Sequence, residues 1–233
     1  LASKRIVWGK FLNSGQTCVA PDYLVVHKSI KRALIKELIK RIEKTLGKQL
    51  EKTEDFTAIV NEKNFNRLVG LINKNNLIYG GKYDKVKRYI SPTIIDSPKM
   101  DEEIMKDEIF GPILPVLSFE KIEDIDNIIT KNPNPLALYV FSNNKKFNEI
   151  IINRYPFGGG AINDTIVHLA NSRLPFGGIG NSGIGSYHGK ASFELFSHKK
   201  SVVNRSTWFD NNLRYAPYKN KLSLVRKIMK YLG

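Results

Sequence analysis

Cys18 is the only cysteine in 233 residues. It stands in NSGQTCVAP, residues 13–21, where Asn13, Ser14, Gly15, Gln16 and Thr17 precede it and Pro21 follows. That is the chemistry of a loop or a helix entry. A thiol in such a segment can be reached by a ligand, and as a thiolate it is a powerful nucleophile. A second block, EIFGP at 108–112, places the carboxylate of Glu108 just ahead of a Gly-Pro turn. A third block, LPFGGIGNSGIGSYHG at 174–189, is dense enough in glycine to supply tight turns and close backbone approach.

Two other chemistries are excluded by context. Residues 178–183, GIGNSG, satisfy the G-x-G-x-x-G pattern of dinucleotide-binding turns. That pattern works only between a strand and a helix with an acid about twenty residues on, whereas here LPF precedes it and Glu194 lies too near. The four histidines, His27, His168, His188 and His198, form no i, i+4 pair and have no second thiol to join, so no metal site is expected.

These residues need elements to position them. YLVVH (23–27) reads as a strand, and Ser29 as the cap of a helix running to about Leu46, with Leu34, Ile35, Leu38, Ile39, Ile42 and Leu46 at helical spacing. Further on come a helix over 61–75, a strand LIY with a double-glycine turn (77–81), a strand over 89–96, a helix or turn over 99–109 and a strand over 112–119. A helix over 120–131, a strand over 136–142 and a helix over 144–154 continue the alternation. The alternation predicts an α/β fold, a mainly parallel open sheet flanked by helices. From about 157 the glycine-rich region reads as loops, then FELFS as a short helix and SVVN as a strand.

The net charge of +15 (37 Lys and Arg against 22 Asp and Glu) invites a polyanion partner. The lysines, however, are spread along the chain with no recognition motif, so nucleic-acid binding is not expected. Only residues 199–233 are locally extreme, with nine Lys and Arg against the single acid Asp210. A lone cysteine excludes a disulfide framework and points to a reducing, cytoplasmic setting. No run reaches the roughly 18 apolar residues of a membrane span, and no signal peptide is evident. The opening LASKRIVWGKFLNS looks like a helix entered part-way, so we expect the chain to be a piece of a longer protein.

Taken together and in order, RIVWGKFLNSGQTCVAPDY, EIFGP, PLALYVFS, GGGAIND and GNSGIGSYHGKASFELFSHKKS resemble the aldehyde dehydrogenase superfamily, in its class 3 and fatty aldehyde branch. The resemblance covers residues 1 to about 206. It implies that Cys18 attacks an aldehyde carbonyl, giving a thiohemiacetal that delivers hydride to NAD or NADP and becomes a thioester. It also implies that Glu108 and Phe110 contact the cofactor, and that Trp8, Leu169, Phe176 and His188 wall the substrate pocket. The resemblance places the general-base glutamate, the oxyanion asparagine and the Rossmann-like cofactor domain ahead of residue 1, so this chain alone is expected to be inactive as a dehydrogenase.

The implied organisation is a catalytic domain over 1–199, an oligomerisation strand at 200–206 serving a homodimer, and a basic tail over 207–233. Two other readings compete. In one, Cys18 with His188 as base is a cysteine hydrolase, although no third orienting group is evident. In the other, the tail KNKLSLVRKIMKYLG is a partner-binding or membrane-surface module: Leu222, Val225, Ile228, Met229 and Leu232 form a stripe among Lys221, Arg226, Lys227 and Lys230. Peripheral membrane contact would then run through residues 219–232.

Overall fold

A computed structural model describes residues 1–47, 55–72, 76–219 and 221–232. The chain divides into two compact units, Leu1–Phe196 and Ser197–Gly233, a division just before the expected boundary at 199.

The first unit is built on a four-stranded sheet ordered β1-β6-β5-β2. β1 (Leu24–His27) runs parallel to β6 (Ile113–Phe119), and β6 runs parallel to β5 (Thr93–Asp96). β2 (Leu77–Tyr79) closes the edge antiparallel to β5. The expected α/β class with a mainly parallel open sheet is therefore what forms. The central strand reads ILPVLSF with no polar alternation until Ser118 because both its faces are covered. Leu114 and Val116 face one core with Ile94 and Val26, while Ile113 and Leu117 face another with Ile95 and Ile90, the period of two of a pleated strand.

On the first face lie α1 (Ala2–Phe11) and α2 (Lys28–Leu46), which bury Ile6, Val7, Phe11, Ile35, Leu38 and Ile42. On the other lies α3 (Glu62–Gly70), burying Phe65 and Leu68. The start of α2 corrects the expected cap: the helix opens at Lys28, and the His27 ring accepts from the Ser29 backbone N–H. α3 ends before the expected helix does, and positions 73–75 of that expectation lie outside the described residues. The strand expected over 89–96 is broken at Ser91 and Pro92: β4 (Tyr89–Ile90) pairs with β3 (Tyr83–Asp84), and only the second half, β5, joins the main sheet.

β7 (Ala137–Val140) and β8 (Gly159–Ile162) form a separate parallel pair. β8 corrects the loop reading of the glycine-rich region. A Cβ on Gly160 would fall 2.0 Å from the Leu138 carbonyl oxygen, so glycine here permits close approach within a strand pair rather than freedom in a loop. α4 (Ile122–Ile129) and α5 (Lys145–Arg154) pack beside this pair through Ile125, Val140, Ile151 and Tyr155.

The two helices are also tied by charge. Arg154 grips both Asp126 oxygens at 2.7 and 2.5 Å, and the Tyr155 hydroxyl donates to the same carboxylate at 2.8 Å. The Arg154 and Tyr155 hydrogen bonds hold Asp126 down at about 2, below its ordinary 3.8. A carboxylate whose folded pKa is depressed stabilises the fold above its unfolded pKa and loses that contribution as pH falls through the folded one. Asp126→Asn is therefore expected to lower Tm at neutral pH, with the gap to the unaltered chain closing between about pH 4 and pH 2 in thermal scans. A gap that persists at pH 2 would refute the assignment.

Two short helices complete the first unit, α6 (Val167–Ala170) and α7 (Gly189–Leu195). The short helix expected at FELFS lies earlier, ending at Leu195. The second unit carries α8 (Leu222–Leu232). Residues 200–206, expected as a strand, form none in the single chain and are exposed, because an extended segment becomes a strand only when another strand supplies its hydrogen bonds.

Candidate active site

α1 delivers the chain into the cysteine loop through three successive residues in the left-handed region, Asn13, Ser14 and Gly15, with φ of 50, 54 and 73°. For serine this conformation is costly, on the order of 1–3 kcal/mol, and it persists only where the surroundings enforce it. They do so here through several anchors. The Ser14 hydroxyl donates to the Thr57 carbonyl. The Gln16 side chain donates to Ala58 at 3.1 Å and accepts from the Val60 N–H at 2.9 Å. Beyond them Thr17 to Ala20 form a tight turn closed by a 2.9 Å backbone bond. Cys18 lies at its crest and is exposed, while its neighbour Val19 is fully buried. The turn thus presents the thiol outward by driving the adjacent side chain into the core.

Val19 lands in a cluster with Ile166 and Phe176, on which Leu169 packs. The rings of His168 and His188 lie 6.1 and 5.9 Å from that of Phe176. The fold therefore brings three of the four expected pocket residues, Leu169, Phe176 and His188, to the inner side of the cysteine turn. Trp8 is 47% exposed on α1, and Phe176 is 9% exposed within the cluster. The His188 Nδ1 is buried without a hydrogen-bond partner among the described residues.

Two residues to which the sequence reading gave no role at the site also belong here. The Tyr139 hydroxyl on β7 donates to the Val19 carbonyl at 2.8 Å and is also bonded to the Ile166 backbone, so it ties the cysteine turn to the entry of α6. Burial raises its pKa, and the Cys18 charge adds to the rise. His168 is buried with both ring nitrogens unpartnered among the described residues, and burial lowers its pKa. Periodicity carries no signal for either, because both are recruited from distant segments.

The second expected block lies against the first. Gly15 and Gly111 touch backbone to backbone: a Cβ on Gly15 would meet the Gly111 oxygen at 2.4 Å. Phe110 is itself left-handed, with φ of 48°, and 38% exposed. Arg67 from α3 donates to the carbonyls of Glu108 at 3.3 Å and Ile109 at 2.5 Å. Asp22, just past the cysteine turn, accepts from the Ile109 N–H at 3.1 Å. Burial and the Asp22 charge push the Glu108 carboxyl up, opposed by Lys10 and Arg67.

The GIGNSG stretch is preceded by an isolated bridge at Phe176 and contains a short 3-10 turn, Gly180–Ser182. Among the described residues no group of His, Cys, Asp and Glu could hold a metal ion, and no helix is long and apolar enough to cross a membrane.

Comparison with known proteins joins these features. The profile of the aldehyde dehydrogenase family matches residues 1–202. The chain is 46% identical over 232 residues to 4,4'-diaponeurosporen-aldehyde dehydrogenase of Staphylococcus aureus, covering 99% of this chain and 50% of that protein. It is 42% identical over 224 residues to the dimeric NADP-preferring aldehyde dehydrogenase of Mus musculus, covering 95% and 49%. The structure superposes on the substrate-bound state of Staphylococcus aureus AldH with a TM-score of 0.89 at 45% identity, over 98% of this chain and 50% of that one. The chain spans about half the length of these relatives. With the two glycine-jointed turns and the profile in agreement, the chain belongs to the aldehyde dehydrogenase family, in the branch that holds its family 3 members.

Proposed function

We propose that the chain supplies the nucleophile of an enzyme that oxidises an aldehyde to its carboxylic acid with NAD or NADP. The observation that carries this reading is an exposed thiol, Cys18, on an anchored turn whose backbone lies against the Glu108–Gly111 turn. In this reading the Cys18 thiolate attacks the carbonyl carbon, and the oxyanion accepts a hydrogen bond from the Cys18 backbone N–H. A nicotinamide cofactor held at Glu108 and Phe110 would supply the hydride acceptor. Loss of hydride from the thiohemiacetal leaves a thioester on Cys18, and water then releases the acid and the thiolate. We assign the water-activating base to no residue of this chain.

Glu108 and Phe110 suit the cofactor. Glu108 is exposed as a residue although its carboxyl is partly desolvated, and Phe110 is exposed beside it on a turn fixed from below by Asp22 and Arg67. Leu169, Phe176 and His188, with Trp8 at the outer edge, are assigned to the pocket walls. Their aromatic and aliphatic lining favours an apolar aldehyde.

The test is aldehyde-dependent NAD(P)H formation by this chain and by a form extended with the half that precedes it in its relatives. Turnover is expected only in the extended form, while an activated ester acylates Cys18 in both. Normal turnover by this chain alone would overturn that division, and none in either form would overturn the reading itself.

We further assign residues 200–206 to strand pairing in a homodimer, a state named for the mouse relative, and place the protein in the cytoplasm. α8 exposes Leu222, Ile228 and Met229 beside Lys227 and Lys230, which suits peripheral contact with anionic lipid through residues 219–232; position 220 lies outside the described residues. Liposome co-sedimentation that survives deletion of 217–233 would dispose of this contact.

A further inference from the structure

Lys10 is 1% exposed on α1, and its Nζ lies 3.5 Å from the Asp22 carbonyl oxygen. Burial pushes Lys10 down to about 8 against the opposing pull of Asp22 and Glu108, and it pushes Asp22 up. Burial thus opposes the charge on both groups while their mutual attraction supports it, and the direct contact runs from Lys10 to the Asp22 backbone carbonyl. Such a pair is poorly explained as a device for stability. Its geometry offers another role.

The Asp22 carboxylate accepts from the Ile109 N–H at 3.1 and 3.4 Å and is bonded to the Phe110 backbone as well. It reaches from the strand-entry side of the cysteine turn to the turn that bears Glu108 and Phe110. The cysteine turn has separate anchors of its own, through Ser14, Gln16 and Tyr139. Arg67 holds the carbonyls of the 108–110 turn, and Asp22 holds its amides, so loss of Asp22 would free the Ile109 and Phe110 amides while leaving Cys18 in place.

We propose that Asp22, with Lys10 as its buried counter-charge, is a positioning residue that fixes the Glu108–Phe110 turn for the cofactor. The proposal rests on the aldehyde dehydrogenase reading for its cofactor half only; the anchoring half stands on this chain alone.

The first arm is amide hydrogen exchange on this chain. Asp22→Asn is expected to speed exchange at Ile109 and Phe110 by about tenfold, the effect of replacing a charged acceptor of both amides by one neutral amide oxygen. Alkylation of Cys18 by iodoacetamide should stay within about twofold, less than the loss of one neutral hydrogen bond would give. The second arm is the extended form, where KM for NAD(P) should rise by about tenfold or more and kcat should change far less, the split expected when binding rather than chemistry is lost. Lys10→Met/Asp22→Asn removes both charges, so it folds even where a single variant leaves an unpaired buried charge, and it should show the same split.

Unchanged exchange at Ile109 and Phe110 would overturn the proposal. So would faster exchange with an unchanged KM, or a Cys18 alkylation rate that falls as much as cofactor binding does. If the unaltered extended form shows no turnover, the dehydrogenase reading falls, and amide exchange still decides the anchoring.

Discussion

Cys18→Ala is expected to abolish aldehyde-dependent NAD(P)H formation in the extended form, a loss on the order of 10⁴-fold or more, because both the thiohemiacetal and the thioester need that sulfur. Stability should hardly change. The residue is exposed, and surface substitutions away from special features usually stay within about 0.5 kcal/mol. The measurement is turnover paired with a thermal scan. Residual turnover near the original rate would remove the nucleophile from the proposed chemistry.

The same experiment separates the dehydrogenase from a cysteine hydrolase. In a hydrolase His188 would be the base, so His188→Ala would cost as much as Cys18→Ala. The structure gives the His188 ring another setting, stacked at 24° on Phe176 and edge-on to Tyr187. Its substitution is expected to alter substrate KM while leaving acylation of Cys18 by an activated ester within about tenfold, the scale of one packing contact at a pocket wall. Equal loss in both variants would favour the hydrolase.

Gly15→Ala is expected to be strongly damaging for the addition of one methyl group. Gly15 has φ of 73°, and the added Cβ would meet the Gly111 oxygen at 2.4 Å and its carbonyl carbon at 2.7 Å. Those are backbone atoms, so no side chain can turn aside to relieve the clash. The strained φ and the overpacking each cost about 1–3 kcal/mol, giving a destabilisation of about 2–6 kcal/mol. Gly185→Ala is the control, since Gly185 has nearly the same φ, 74°, with nothing within 4 Å of the added carbon. It should lose only the conformational part, about 1 kcal/mol.

The functional consequence follows from the same contact. Pushing Gly15 from Gly111 moves the cysteine turn and the Glu108–Gly111 turn apart, so both Cys18 acylation and cofactor use should fall. A Gly15→Ala protein as stable and as reactive as Gly185→Ala would show that the approach of the two turns does not matter.

Much of this was written locally. The polar neighbours of Cys18 announce an exposed loop thiol, because Asn, Ser, Gly and Gln favour turns over packed elements. The apolar run of β6 and the three-and-four spacing of α2 announce a sheet covered on both faces, and the α/β class follows from them. The family blocks name Cys18, Glu108 and Phe110 for the same reason: each motif is contiguous, so its signal survives without a fold.

Other features had no local signature. Lys10 sits in a stretch that looks like any basic amphipathic helix, and only α1 packing beneath the cysteine turn buries it. Asp22, Arg67 and Glu108 are widely separated in sequence, and the sheet alone brings them to one turn. β8 is invisible to β-propensity because its glycines serve close approach to β7 rather than strand preference. The residues of contiguous motifs and the periodic faces were thus determined by the sequence by itself; burial, charge pairing and the meeting of the two turns were decided by the tertiary structure, because each depends on which distant segment comes to lie alongside.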